Sequence, residues 1–310
     1  MSGYLELRGI TKKYGDKIAV SGLDLGVPKG RISGIIGPNG AGKSTTIRMI
    51  MNIIAPDSGQ ILFDNMPTTE AFKNSVGYLP EERGLYKKMT LEEVILYLGQ
   101  LKDKSRKEIE PKIDPWLERM NLAPYRKRKV EELSKGMQQK LQFVTTLIHE
   151  PDIIILDELF SGLDPLNIEL IKGVLLELRQ SGRTILFSTH VMEQAEKLCD
   201  SICMIDGGKK VLDGTMSDIK GRYGTNSIHL EIAGDGSFLQ ALPGIEKVTN
   251  YTNYFEITLS DPSKSNDVLK AIADKVTVIR FERMEPSLYN IFIALAGHTT
   301  GIAGKGGGHE

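Results

Sequence analysis

The sequence predicts an α/β protein. A mostly parallel core sheet is preceded by antiparallel strands, interrupted by a helical insert and followed by a small α+β domain of ferredoxin-like order. Three observations carry this reading. Apolar runs near 31–36, 152–157, 184–188 and 202–206 alternate with helix-periodic stretches, as strands buried on both faces do. A Gly-rich loop, Gly37 to Thr45, joins the first run to a helix-like stretch over 45–53. Beyond Gly221-Arg222-Tyr223-Gly224 the pattern changes to Ile228/Leu230/Ile232 and Phe255/Ile257/Leu259, alternating as half-buried strands do.

A chain of 310 residues has room for two domains, one of them large. Hydrophobic content of 40% and charged content of 25% describe an ordinary globular protein. The net charge of −1 gives no electrostatic case for nucleic acid, and the basic run Arg126-Lys127-Arg128-Lys129 reads as a solvated face. No apolar stretch approaches the roughly 18–20 residues that span a bilayer. The N-terminus lacks the basic-then-apolar layout of a signal peptide, so a cytoplasmic location is expected. Cys199 and Cys203 fit a reducing compartment and read as core packing, because no second ligand pair accompanies them.

Short strand-like runs fill 4–36, with Pro28-Lys29-Gly30 as the turn before the strand that feeds the Gly-rich loop. Two more strands are expected over 60–64 and 75–79. Thr90-Leu91-Glu92-Glu93 has the form of a capping box, and the helix after it carries Val94, Ile95 and Leu98 on one face. From there to about residue 150 the chain reads as a charged helical insert, punctuated by Pro111 and Pro115. Helices over 165–179 and 191–199 separate the later strands. The second domain reads β-α-β-β-α-β, with a short helix near Phe238-Leu239, a helix over 264–273 and a strand over 275–281. Leu288, Ile291, Phe292 and Leu295 form a helical stripe after it. The resulting boundaries are 1–222 for the first domain (insert about 84–150), 225–297 for the second, and 298–310 for a disordered Gly-rich tail.

The chemistry begins at Gly37-Pro38-Asn39-Gly40-Ala41-Gly42-Lys43-Ser44-Thr45, which fits G-x-x-x-x-G-K-[ST]. Average residue usage gives a chance match of about 1% in a chain of this length. Gly residues let backbone N–H groups curl around phosphate oxygens, and the helix N-terminus adds its positive end. Lys43 would reach the β- and γ-phosphates and the Ser44 hydroxyl would ligate Mg²⁺. Asp157 ends an apolar strand, where a carboxylate can hold Mg²⁺ through its water shell, and Glu158 is positioned to polarise a water for attack on a γ-phosphate. His190 follows another buried strand and could bond the γ-phosphate and hold the attacking water. Tyr14 could stack an adenine ring, although one aromatic residue by itself reads as packing. Leu133-Ser134-Lys135-Gly136-Met137 starts a helix with a Ser cap and a Gly close behind, again offering N–H donors to an anion.

On these residues, 4 to about 222 resemble an ABC transporter ATPase. Tyr14 falls at the adenine-stacking position, 37–45 at the Walker A loop and Glu81 at the Q-loop, where it is a third candidate for Mg²⁺. Residues 133–139 match the LSGGQ-type signature, 153–158 the Walker B strand, Ser161-Gly162-Leu163-Asp164 the D-loop and His190 the switch histidine. The resemblance implies a head-to-tail ATPase dimer, homomeric or heteromeric, in which ATP on one Walker A loop is clamped by Ser134, Gly136 and Met137 of the other subunit. Three departures stand out. Glu81 replaces the usual Gln, Lys135 and Met137 replace Gly and Gln of the signature, and Leu159 replaces the Pro after the acid pair. None removes an indispensable group, so an active ATPase is expected.

The stretches Pro80-Glu81-Glu82-Arg83-Gly84-Leu85-Tyr86 and Glu285-Pro286-Ser287-Leu288-Tyr289-Asn290-Ile291-Phe292 are similar to ATPase subunits of sodium- and drug-extruding bacterial exporters. In those systems the membrane permease is a separate protein, which implies a peripheral position on the inner face of the cell membrane. The competing reading is an ABC ATPase acting on ribosomes or DNA. Such proteins carry two ATPase domains or a long coiled coil, and neither is evident in this sequence. The second domain offers no nucleophile, phosphate loop or metal cluster, and a regulatory or dimer-supporting role is expected of it.

Overall fold

A computed structural model describes residues 4–68, 70–82, 84–223, 226–284 and 286–300. The chain divides into two compact units, Met1–Met216 and Ser217–Glu310.

The first unit opens with β1 (Leu5–Tyr14) and β2 (Lys17–Val27), paired antiparallel, then β3 (Ile32–Ile36) and α1 (Lys43–Ile50). β4 (Ser58–Phe63) returns beside β1, and β5 (Met66–Pro67) completes a four-stranded antiparallel sheet of order β2-β1-β4-β5. α2 (Glu70–Ser75) leads into β6 (Val76–Leu79), so the helix takes up the start of the strand expected over 75–79.

The insert holds α3 (Leu91–Gln100), α4 (Arg106–Arg119) and α5 (Lys135–Leu147). Thr90 forms the expected capping box: its hydroxyl accepts the Glu93 N–H at 3.3 Å and its own N–H donates to the Glu93 carboxylate at 2.8 Å. Pro111 and Pro115 do not break the helical pattern; both lie inside α4. They sit on its exposed side, while Ile109, Ile113 and Leu117, four residues apart, bury the other side and hold the helix through the lost N–H bonds. Arg126 of the basic run joins the insert together, with paired bonds to Glu92 of α3 (3.0 Å each) and to Asp114 of α4 (2.6 Å).

The central sheet resumes with β7 (Ile153–Asp157), α6 (Pro165–Gln180), β8 (Thr184–Thr189), α7 (Met192–Leu198), β9 (Ser201–Asp206) and β10 (Lys209–Thr215). Its order is β10-β9-β3-β8-β7-β6, parallel except for the β9–β10 pair. Every residue of β3, β7 and β8 is buried, which is why apolar residues dominate these strands without a period-2 alternation. Ile47, Met49 and Ile50 of α1 share one core with Leu5, Val20 and Leu23 of the antiparallel sheet and Ile35, Ile155 and Leu186 of the parallel one. Parallel register puts the ends of β3, β6, β7 and β8 at one edge, with Leu79 opposite Leu156, Asp157 opposite Ser188 and Ile36 opposite Thr189. Candidate residues from four chain segments therefore gather there.

The second unit takes over from α8 (Met216–Arg222) and contains β11 (Ser227–Ala233), β12 (Ile245–Asn250), β13 (Phe255–Leu259), α9 (Ser265–Ala273), β14 (Thr277–Arg283) and α10 (Leu288–Thr300). Its antiparallel sheet runs β12-β13-β11-β14 over a core of Ile228, Leu230, Ile257, Leu259, Val268 and Ile272. The expected first helix is only a 3-10 turn, Ser237–Ala241. α10 carries helix through Thr300, into the first residues of the stretch expected as a tail. Residues 301–310 and Glu285 lie outside the described residues.

Candidate functional site

The loop after β3 owes its path to glycine. Gly37 has φ 153°, and a Cβ there would stand 2.0 Å from the Ile205 carbonyl oxygen; Gly42, at φ 109°, would put one 2.5 Å from the Ala19 oxygen. Gly42 caps α1 with no side chain to accept a bond, and among the described residues no side chain takes the N–H groups of Lys43, Ser44 or Thr45. A cleft of about 330 Å³ lies over this terminus, lined by Tyr14, Asn39, Gly40, Ser44, Glu81 and Glu158 among others. Gly42, Lys43 and Thr45 also line it. Tyr14 stands 50% exposed at the end of β1.

Below the loop the charged groups form a chain of contacts. The Lys43 ammonium, 5% exposed, donates to the carbonyl oxygens of Gly37 (2.9 Å) and Pro38 (3.1 Å) and lies 3.4 Å from Glu158 Oε1. The other carboxylate oxygen of Glu158 takes a bond from His190 Nδ1 at 3.0 Å. Glu158 has φ 50°, the left-handed region unusual for a residue with a side chain. Its N–H, bonded to Ser188 O at 3.2 Å, holds the backbone in that turn at the strand end.

Asp157 is 1% exposed and lies opposite Ser188. The Ser188 hydroxyl donates to its Oδ1, and the Ser44 hydroxyl donates to the same atom at 3.3 Å. Burial pushes the Asp157 carboxyl above its ordinary value; the Ser188 and Ser44 bonds pull the other way, and neighbouring Glu158 adds to the rise. Among the described residues both bonds fall on Oδ1. A hydroxyl and a carboxylate converging beneath a phosphate loop form an oxygen-only donor set suited to Mg²⁺.

Ser134, Gly136 and Met137 are elsewhere. Ser134 caps α5, its hydroxyl accepting the Met137 N–H at 3.3 Å, and none of the three lines the cleft. A link runs back to the acid pair, because Gln139 Nε2 donates to the Leu159 carbonyl at 3.0 Å. Asp164 of the D-loop stretch caps α6 by accepting the Asn167 N–H at 3.0 Å. Pro38 and Ala41 belong to the loop's wall, Ala41 being buried.

Sequence reading missed Ser188 and Lys17. Ser188 is a buried hydroxyl just after the apolar Ile185-Leu186-Phe187, which is a signal, but its contact with Asp157 depends on strand register. Lys17 adds a cation to the cleft from the tight turn after Tyr14.

The family described as ABC transporter matches residues 20–161, and the family described as ATP-binding protein DrrA1-3-like, C-terminal domain, matches residues 214–296. The ABC transporter ATP-binding protein YhaQ of Bacillus subtilis is 41% identical over 293 residues, which is 94% of this chain and 98% of that protein. The Nod factor export ATP-binding protein I of Rhizobium meliloti is 33% identical over 94% of this chain and 88% of its own. A solved ATP-binding subunit of an ABC transporter superposes with a TM-score of 0.67 at 32% identity, over 71% of this chain and 93% of that one. The chain belongs to the ATP-binding subunits of ABC transporters, a family that binds and hydrolyses ATP.

Proposed function

We propose that this chain powers a separate integral-membrane exporter by ATP-driven head-to-tail dimerisation, in company with a second ATPase subunit and with no nucleic-acid partner. The observation that carries the reading is the separation within one chain of the cleft from Ser134, Gly136 and Met137, so that one subunit offers half of an anion cage. A second helix terminus supplied in trans completes it and couples ATP binding to closure. The export-named relative favours this direction of transport. Among the described residues no helix is long and apolar enough to cross a membrane, which fits a permease on another chain and a peripheral site on the inner membrane face. An apolar groove of about 360 Å³ beside the end of β6, lined by Ile53, Tyr78, Leu85, Leu98 and Leu101, suits a docking segment of that permease. Closure would be transmitted through it.

In the chemistry proposed, Tyr14 stacks the adenine and the N–H groups of 37–45 hold the phosphates. Ser44 and Asp157 would hold Mg²⁺, which when bound neutralises phosphate charge, while Glu81 stands on the cleft wall. Lys43 exchanges its carbonyl partners for phosphate oxygens. Glu158 draws the proton from the attacking water, and His190 orients the Glu158 carboxylate through their 3.0 Å contact. The Glu158→Gln chain should bind ATP, accumulate as a stable dimer and lose turnover by at least about a hundredfold. Ordinary turnover in that variant would remove Glu158 from the role. A pull-down that returns ribosomal RNA or DNA in place of a membrane protein would overturn the exporter assignment.

A further inference from the structure

Two side chains of opposite charge at the edges of this machinery have no hydrogen-bond or ion-pair partner among the described residues. Glu81 is exposed on the cleft wall and makes no hydrogen bond or ion pair among the described residues. Lys135, the first residue of α5, is exposed and equally free. Both also depart from the motifs that the resemblance implies, Glu81 adding a negative charge at the Q-loop position and Lys135 a positive charge in the signature stretch.

The pair does not meet within one chain. α5 is tied down at Gln142, whose Nε2 donates to the carbonyl oxygens of Pro80 and Glu82 at 3.4 Å each. From Gln142 to Lys135 the helix runs seven residues, about 10 Å at its usual rise, toward an N-terminus that ends in open surface. Gly136 adds a second observation. A Cβ there would meet only Leu163 Cδ2, at 3.9 Å, so this chain's own packing does not demand glycine. A smooth backbone beside a free cation suits the close approach of another surface.

We propose that Lys135 of one subunit pairs with Glu81 of the other, so that the two added charges cancel across the composite site. The inference rests on the head-to-tail reading and deepens it by naming a contact that selects the partner. Glu158 already lines the cleft, buried Asp157 bonds Ser44 on its wall, and the phosphates would enter there; a further unpaired carboxylate at the rim would oppose closure, and Lys135 removes that opposition. A subunit without the cation would leave Glu81 unpaired, which discriminates against mixed partners.

The test uses the full chain with Glu158→Gln, ATP and Mg²⁺, and reads dimerisation by sedimentation. Glu81→Lys and Lys135→Glu each set like charges at both sites of a homodimer and should weaken dimerisation by about tenfold or more. An equimolar mixture of the two variants carries opposite charges at both sites of the heterodimer and should recover to within about threefold of the parent. Absence of any gain on mixing overturns the pairing and points to Lys135 acting on the phosphates or within its own chain. Because Glu81→Lys also changes the cleft, a second measurement mixes Glu81→Cys with Lys135→Cys chains. An inter-chain disulfide should form with copper phenanthroline, only in the mixture and only with ATP, since Cys199 and Cys203 are buried. A dimer that fails to crosslink also overturns the pairing. A parent chain that stays monomeric with ATP defeats the dimer reading itself, and the pairing falls with it.

Discussion

At the scale of single residues, Ser188 shows how the acid pair is held. Its hydroxyl donates to the buried Asp157 carboxylate, and its hydroxyl and carbonyl oxygens both lie 3.2 Å from the Glu158 N–H. Ser188→Ala should leave the fold intact, raise the Mg²⁺ concentration needed for half-maximal ATPase, and lower turnover by about tenfold or more. Unchanged Mg²⁺ dependence would show that Ser44 alone suffices to orient Asp157. The loop from Gly37 to Thr45 was legible in the sequence because its spacing is itself the chemistry, and Asp157 and Glu158 because they end an apolar run. Ser188 was not, because its partner is set by register 31 residues away. Lys43 bonding the carbonyls of its own loop was likewise beyond a linear reading.

At the scale of elements, the docking of the insert on the sheet edge has a titratable joint. His149 follows α5, and its Nε2 faces the Val76 carbonyl of β6 at 3.3 Å. Burial, assisted by nearby Lys102, pushes the imidazole down from 6.5 to about 4. The folded value lies below the unfolded one, so this contribution is fully present above pH 6.5 and is lost as pH falls from 6.5 toward 4. The difference corresponds to about 3 kcal/mol at the acid end. His149→Gln should flatten the fall of Tm between pH 7 and pH 4.5, and an unchanged slope would assign the acid loss to other groups. Among the elements, β3, β7 and β8 were plain in the sequence, since burial on both faces favours apolar residues at successive positions. The prolines of α4 misled because local propensity was outweighed by a buried stripe on the opposite side. The 3-10 turn at Ser237–Ala241 is too short to express helical periodicity.

At the scale of the whole molecule, the first unit carries the cleft and the candidate site residues, and the second has its own sheet and core. We propose that the second unit regulates or supports dimerisation. A chain ending after Arg222 should still bind ATP, and its ATP-dependent dimer or its ATPase rate should fall several-fold. Dimerisation, ATPase and transport all left unchanged would exclude that role. The two thiols offer a way to watch the first unit from inside. Cys203 lies beside Ile35 in the register of β9 on β3, and Cys199 packs so closely on Gly34 that a Cβ there would stand 2.7 Å from its sulfur. Both of the chain's cysteines therefore abut the strand that feeds the phosphate loop, and both are buried and unpaired. Burial also pushes the Cys203 thiol up to about 12, so it is silent toward thiol reagents while the sheet is closed. The molecule thus carries a stopwatch for the opening of its own nucleotide sheet. Where labelling proceeds through global opening, ATP at a hundred times its Kd should slow it about a hundredfold, and a rate indifferent to ATP would mean that reagent enters through a local gap.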